Sequence, residues 1–248
     1  MKPRLSLLGL LTIIAVTIVA FIDPIAQNPG YHGFADKNVF ADIPNFLNVI
    51  SNLPFVIIGI YGLTLVAKAK PLQSFAIMYS ILFAGIIFTG FGSGYYHYHP
   101  DSNTLVFDRL PMTLVFMSFL SATISECINV KAGIRVLFPL LILGIVSVLW
   151  WHHTEVIGNG DLRFYGLVQF YPVIFIPLIL LLFPSAEYNK GTRLFIWIIV
   201  WYVIAKIFEE YDKEIFNLTG IVSGHSLKHL AASVSTWYIA LIFKRKFC

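Results

Sequence analysis

Eight long apolar stretches constrain the fold of this chain more than any other feature. Each is long enough, or nearly so, to cross about 30 Å of hydrocarbon as a helix. They cover approximately residues 5–22, 45–66, 72–97, 108–127, 134–151, 165–183, 193–208 and 225–243. Only 12% of the 248 residues are charged, whereas about a quarter of a soluble globular domain is charged. The sequence therefore predicts an all-α, polytopic membrane helix bundle.

The first stretch has features of two kinds of segment. Lys2 and Arg4 precede an apolar run, which is typical of a signal peptide as well as of a membrane anchor. The run is about 18 residues long, and no pair of small residues suited to cleavage follows it. We therefore expect an uncleaved transmembrane helix.

Lysine and arginine alternate in abundance from one loop to the next. The side of the N-terminus receives 11 of them: Lys2, Arg4, Lys68, Lys70, Lys131, Arg135, Lys190, Arg193, Lys244, Arg245 and Lys246. The opposite side receives five: Lys37, Arg109, Arg163, Lys206 and Lys213. Because basic loops stay in the cytoplasm, we expect both termini to be cytoplasmic. This topology accounts for the net charge of +4 without a nucleic-acid partner.

Three histidines lie where the predicted spans end or begin. His225 and His229 are four residues apart at the start of the last stretch, so they share one helix face. His97 ends the third stretch, and eight spans place all three histidines on the non-cytoplasmic side. Three neutral imidazoles with an open fourth position are the ligand set of a catalytic zinc site. Polar side chains at membrane depth are costly and therefore indicate function.

The other histidines are more typical of interfacial or hydrogen-bonded side chains. His99 is the nearest alternative to His97, but it adjoins the loop, whereas His97 lies one helical turn after Ser93. We therefore choose His97. No ligand role is predicted for the remaining three, His32, His152 and His153.

A carboxylate and a hydroxyl accompany the histidines on the same predicted side. The familiar helical zinc-hydrolase motif has Glu directly after its first histidine, but Ser226 occupies that position here. A general base must therefore come from another helix, and Asp108, which opens the fourth stretch, is the best-placed carboxylate. Ser93 is the best-placed hydroxyl to donate to an oxyanion. A substrate would arrive through the lipid, which favours a lipid amide or ester.

Three motifs in this order resemble those of the alkaline ceramidases. They are Gly92-Ser93-x-x-x-His97, Asp108-x-Leu110-Pro111-Met112 and Gly224-His225-x-x-x-His229. The stretch Asn45–Leu53 looks like the first core helix of that family, which belongs to a superfamily of seven-helix membrane hydrolases that includes the adiponectin-type receptors. The resemblance spans about residues 45–243. It predicts an N-terminal anchor and external loop over 1–44 and a seven-helix domain over 45–248.

The resemblance implies a zinc amidase that releases a fatty acid and a sphingoid base from ceramide. By position, His97, His225 and His229 would be the zinc ligands. Ser93 would stabilise the oxyanion, and Asp108 would deprotonate the water and later give the proton to the amine. The implied partner is a membrane lipid, and no protein partner is implied.

The resemblance does not decide whether this chain has a calcium site. Animal ceramidases have an acidic calcium site in the N-terminal stretch, including a Glu at the position of Asn45. Asp36, Asn38 and Asp42 offer oxygen atoms nearby.

Two other classes of function compete with the amidase. One is a receptor-like or lipid-binding membrane protein of the same superfamily, in which zinc is chiefly structural. Short connections leave little chain for signalling and therefore favour the enzyme. The other is a proton or metal transporter, which would need polar groups along its whole path, whereas the ionisable residues cluster on one side.

Overall fold

A computed structural model describes residues 1–184 and 192–248, and the regular structure in these ranges is helical. The helices are α1 (Lys2–Phe21), α2 (Phe46–Ile50), α3 (Leu53–Ala69), α4 (Gln73–Tyr98), α5 (Leu105–Cys127), α6 (Val130–Val156), α7 (Arg163–Leu182), α8 (Thr192–Glu210), α9 (Asp212–Thr219) and α10 (Gly224–Phe247). A short 3₁₀ helix covers Pro29–His32. The predicted all-α bundle is confirmed.

Six helical segments in the described ranges are long and apolar enough to cross a membrane. They are α1, α2 and α3 taken together, α4, α5, α6 and α7. The chain is therefore a multi-pass membrane protein. The last two of the eight predicted spans form α8 and α10, which are not among these six. In α10 the cause is its polar inner face and the basic run Lys244–Lys246 at its end.

The second predicted span is not one continuous helix. It is interrupted at Ser51 and Asn52, between α2 and α3. Pro54 lies in the first turn of α3 and has no N–H with which to continue the helical ladder. The predicted span over 45–66 corresponds to Phe46–Ala69 and consists of two helices. The two polar side chains at the break, Ser51 and Asn52, are buried.

A further helix, α9, follows α8 and was not expected from the apolar pattern, because none of its residues is buried. It ends at Gly220, whose positive φ of 68° is the left-handed conformation that commonly closes a helix. The helix places Asp212, at its start, next to α10.

The helices pack in a ring around an apolar cavity. Helix α4 packs against α3 and α5, α5 also packs against α6 and α7, and α10 packs against α3 and α8. Helices α7 and α8 both line the cavity but make little direct contact with each other in the described ranges. The cavity has a volume of about 770 Å³, and its walls are mostly aliphatic and aromatic.

Helix α1 lies outside this ring, against α7. The hydroxyl groups of Thr12 and Tyr171 are 2.8 Å apart, and no side chain of α1 is buried. Even so, α1 forms part of the cavity wall with Ala15, Ile18 and Val19, and Ile22, directly after the helix, continues that wall.

Contacts at the two ends of the bundle agree with the predicted alternation of the spans. After α1, the backbone N–H of Gln27 donates to Glu155 Oε1 at the end of α6 (2.6 Å). At the other end of the bundle, Lys246 forms an ion pair of 3.2 Å with Glu126 at the end of α5. The predicted basic residue Lys190 lies outside the described residues.

Which end faces the cytoplasm stays a prediction. Reporter fusions at Lys70, Lys131 and the C-terminus are expected to read cytoplasmic, and fusions near Asn103 and Asn159 are expected to read external. A cytoplasmic reading near Asn103 would place the histidines on the opposite face and contradict the positive-inside assignment.

Candidate metal centre

His97, His225 and His229 lie together inside the bundle. One ligand atom from each is within 4.8 Å of the other two, and the three residues are only 1%, 6% and 4% exposed. The local sequence brings them there: His97 lies in the last turn of α4, and Ser223 caps the start of α10 by accepting from the N–H of Ser226 (3.1 Å).

The spacing of the three rings fits a metal ion. His97 Nε2 is 3.2 Å from His229 Nε2 and 3.3 Å from His225 Nε2. A tetrahedral zinc with bonds of about 2.0–2.1 Å holds its ligand nitrogens roughly 3.3 Å apart. Hydrogen bonds alone do not satisfy this arrangement, because one N–H on His97 Nε2 can donate to only one of its two neighbours. The donor set therefore suits zinc.

Polar groups at the break between α2 and α3 orient the ring of His229. Its Nδ1 is 2.8 Å from Ser51 Oγ, and Ser51 Oγ is 3.1 Å from the carbonyl oxygen of Asn48. A proton on Nδ1 that donates to Ser51, while Ser51 donates to Asn48, leaves the Nε2 lone pair free. Such partners set the tautomer of metal-binding histidines.

His225 is held from the backbone and from its ring. Its N–H donates to Asp212 Oδ1 (2.8 Å), and the other oxygen of Asp212 accepts from the N–H of Ala35 (3.0 Å). The ring of Phe34 lies 4.6 Å, centroid to centroid, from both His225 and His97. The loop before α2 therefore closes one side of the histidine cluster.

Ser93 and Asp108 face each other between α4 and α5. The Ser93 hydroxyl lies close to the Asp108 side chain. The two helices approach closely because Gly92 has no side chain: a Cβ there would lie 1.9 Å from the carbonyl oxygen of Phe107. No oxygen of Asp108 lies within 4.0 Å of the Arg109 guanidinium in the described residues.

The cavity reaches this cluster. Ser93, Asp108 and His229 line it, together with Asn52 at the start of α3. His97 and His225 are not among its lining residues, and Phe34 covers both rings. The structure thus brings together all five residues expected from the sequence, with three of them at the cavity surface.

The other histidines lie apart from this cluster. His32 contacts the hydroxyl of Tyr96 (2.9 Å), and His152 contacts Asn103 Oδ1 (3.0 Å). Burial lowers the pKa of His32 from its ordinary value, so its ring is neutral near pH 7. Neither belongs to the group of histidines that could share a metal in the described ranges.

The N-terminal loop, where the resemblance leaves calcium open, is tied to the histidine cluster. Asp36 is buried, whereas Asn38 and Asp42 are exposed, and Asn45 Nδ2 donates to the carbonyl oxygen of His97 (2.8 Å). We assign no calcium ion to this loop.

Fold and site together define a class: a multi-pass helical membrane protein with three buried histidines that could bind a metal such as zinc. A family model described as Ceramidase matches residues 36–245. The chain belongs to the ceramidase family, whose members are amidases that act on lipids. The match includes the last ten residues of the loop before α2 and excludes α1. No curated protein matches the chain.

Proposed function

We propose that the protein is a zinc-dependent membrane amidase that hydrolyses the N-acyl bond of ceramide or a related lipid to a fatty acid and an amine. The observation that carries the proposal is the buried histidine triad with zinc spacing, of which His229 lines the same cavity as Ser93 and Asp108. Family membership supports the reaction type. We further infer that the active site faces the non-cytoplasmic side.

The three histidines, Asp108 and Ser93 have different roles in the proposed hydrolysis. His97, His225 and His229 would hold the zinc, which supplies a Lewis acid that polarises the amide carbonyl and makes a water easier to deprotonate. Asp108 takes the proton from the attacking water and later gives it to the nitrogen of the leaving amine. Ser93 donates its O–H to the oxygen that becomes negative as the carbonyl is attacked.

The positions of Ser93 and Asp108 support these two roles. Ser93 and Asp108 both line the cavity, where Ser93 is buried and Asp108 is partly exposed. The apolar walls suit an acyl chain, whose burial is favourable in proportion to its area. The amide of a lipid with its tail in the cavity would then meet both groups beside His229.

Metal removal tests the proposal. Purified protein loaded with about one zinc per chain is expected to release fatty acid from ceramide or another N-acyl lipid, as measured by mass spectrometry. A chelator should abolish the release, and added zinc should restore it. Protein that is folded and zinc-loaded but cleaves no N-acyl lipid in such a panel would contradict the amidase.

A further inference from the structure

Charged side chains line the cavity beyond those that the proposed chemistry uses. Asp108 has a catalytic role in the proposal, but four further charged residues have none. They are Arg109, Lys206, Glu209 and Lys228. Arg163 also lines the cavity, but Asp161 neutralises it through an ion pair of 2.9 Å.

Two lysines share one carboxylate in the wall formed by α8 and α10. Lys228 Nζ donates to Glu209 Oε1 (2.7 Å), and Lys206 pairs with the other oxygen of Glu209. The side chain of Lys228 is only 16% exposed. An ammonium group has three N–H donors, and Glu209 is its one ion-pair partner in the described residues. Lys228 therefore has donors left for a ligand.

Arg109 adds a second positive charge that no carboxylate neutralises. It is 6% exposed, and its guanidinium carbon lies 4.0 Å from the ring centroid of Trp151 and 4.7 Å from that of Tyr165. Its Nη2 donates to Gln27 Oε1 (2.6 Å). No ion pair involves Arg109 in the described ranges, so the aromatic rings hold the cation without balancing its charge.

The side chains that line the cavity therefore have one positive charge in excess, before the charge of a zinc ion is counted. Arg109, Lys206 and Lys228 carry three positive charges, and Asp108 and Glu209 carry two negative ones, which leaves a net charge of +1. An uncompensated charge beside apolar walls is unfavourable, and an anionic partner relieves the cost.

We propose that the lipid bound in this cavity carries one negative charge on its head group, as a carboxylate or a phosphodiester, and that Lys228 is the residue that binds this charge. The proposal rests on the proposed amidase function and narrows its substrate to acidic N-acyl lipids. Lys228 and His229 both line the cavity, so a head group at the ammonium occupies the same cavity as the amide that would be cleaved. Arg109, which lines the cavity from α5, contributes to the same positive potential.

A matched pair of amides tests the head-group preference. N-Palmitoylglycine and N-palmitoylethanolamine have the same acyl chain and the same amide, but only the first ends in a carboxylate. Both are offered to the zinc-loaded protein, and equilibrium binding and kcat/KM are measured. We expect the acidic amide to be favoured by roughly tenfold or more, the range of one charge-assisted hydrogen bond.

Substitution of the lysine assigns that preference to a residue. Lys228→Gln is expected to remove most of the preference while zinc stays bound, and Lys228→Arg is expected to retain it. Lys228→Met, which keeps the aliphatic stem, replaces the glutamine variant if that variant does not fold. Lys213→Gln is the matched control, because Lys213 is exposed on α9 and does not line the cavity, and it should leave the preference unchanged.

The outcomes separate the two proposals. Equal binding and equal cleavage of the two amides would overturn the acidic head group and leave the amidase standing. If the protein binds the acidic amide preferentially through Lys228 but cleaves neither amide, the acidic head group stands and the amidase function is overturned. A preference that survives both the glutamine and the methionine variants would assign the charge recognition to the zinc and overturn the role of Lys228.

Discussion

His225→Ala and His229→Ala are each expected to lose both the zinc and the amidase activity. Removing one imidazole from a three-histidine site leaves too few ligands for a tetrahedral ion. Even the loss of a group that only orients a ligand typically costs 10- to 100-fold in metal affinity or activity, so loss of a ligand should cost more than about 100-fold. Zinc per chain by elemental analysis and fatty-acid release on the same samples measure both effects.

His152→Ala is the matched control for these variants. His152 contacts Asn103 in a loop and lies apart from the triad, so its removal should leave zinc content and activity unchanged. Full zinc occupancy in the His225→Ala/His229→Ala double variant would refute the ligand assignment.

Asp108→Asn is expected to keep the zinc and to lower the rate of hydrolysis by roughly 10² to 10⁴. Asparagine preserves the size of the side chain and can still bond Ser93, but it cannot accept the proton of the attacking water. The rate must be expressed per zinc-loaded molecule, because this ratio distinguishes lost chemistry from lost folding.

Ser93→Ala provides the comparison for that variant. Loss of one oxyanion donor typically lowers turnover by about 10² to 10³, again with zinc retained. If Asp108 and Ser93 only joined α4 to α5, both variants would lose stability but keep their rate per bound zinc. Near-normal specific activity of Asp108→Asn would therefore exclude the general-base role.

The clustering of the histidines could be predicted from two periodicities. The helical turn places His225 and His229 on one face, and the alternation of spans places His97 at the same end of the bundle. For Ser93 and Asp108, the sequence predicts only that both lie on the same side of the membrane, not that they are in contact. The close approach of α4 and α5 depends on Gly92, because a Cβ there would collide with the backbone of Phe107. Hydropathy does not predict how closely two helices approach.

The groups that hold the triad in place could not be predicted from the pattern. Ser51 reaches His229 because the helix breaks ahead of Pro54, and an apolar count treats that region as continuous. Asp212 reaches the N–H of His225 from α9, whose exposed residues give no apolar signal. Lys228 pairs with Glu209 across two helices, and that pairing depends on how α8 and α10 are rotated against each other.

Helix α1 contributes to the cavity wall but not to the metal ligands. This helix lies outside the part of the chain that matches the family, yet three of its side chains line the cavity. The three histidines come from α4 and α10. Substitutions in α1 therefore change the shape of the cavity while the metal ligands keep their positions. The range of acyl chains that the cavity accepts can thus change without any change in the catalytic residues.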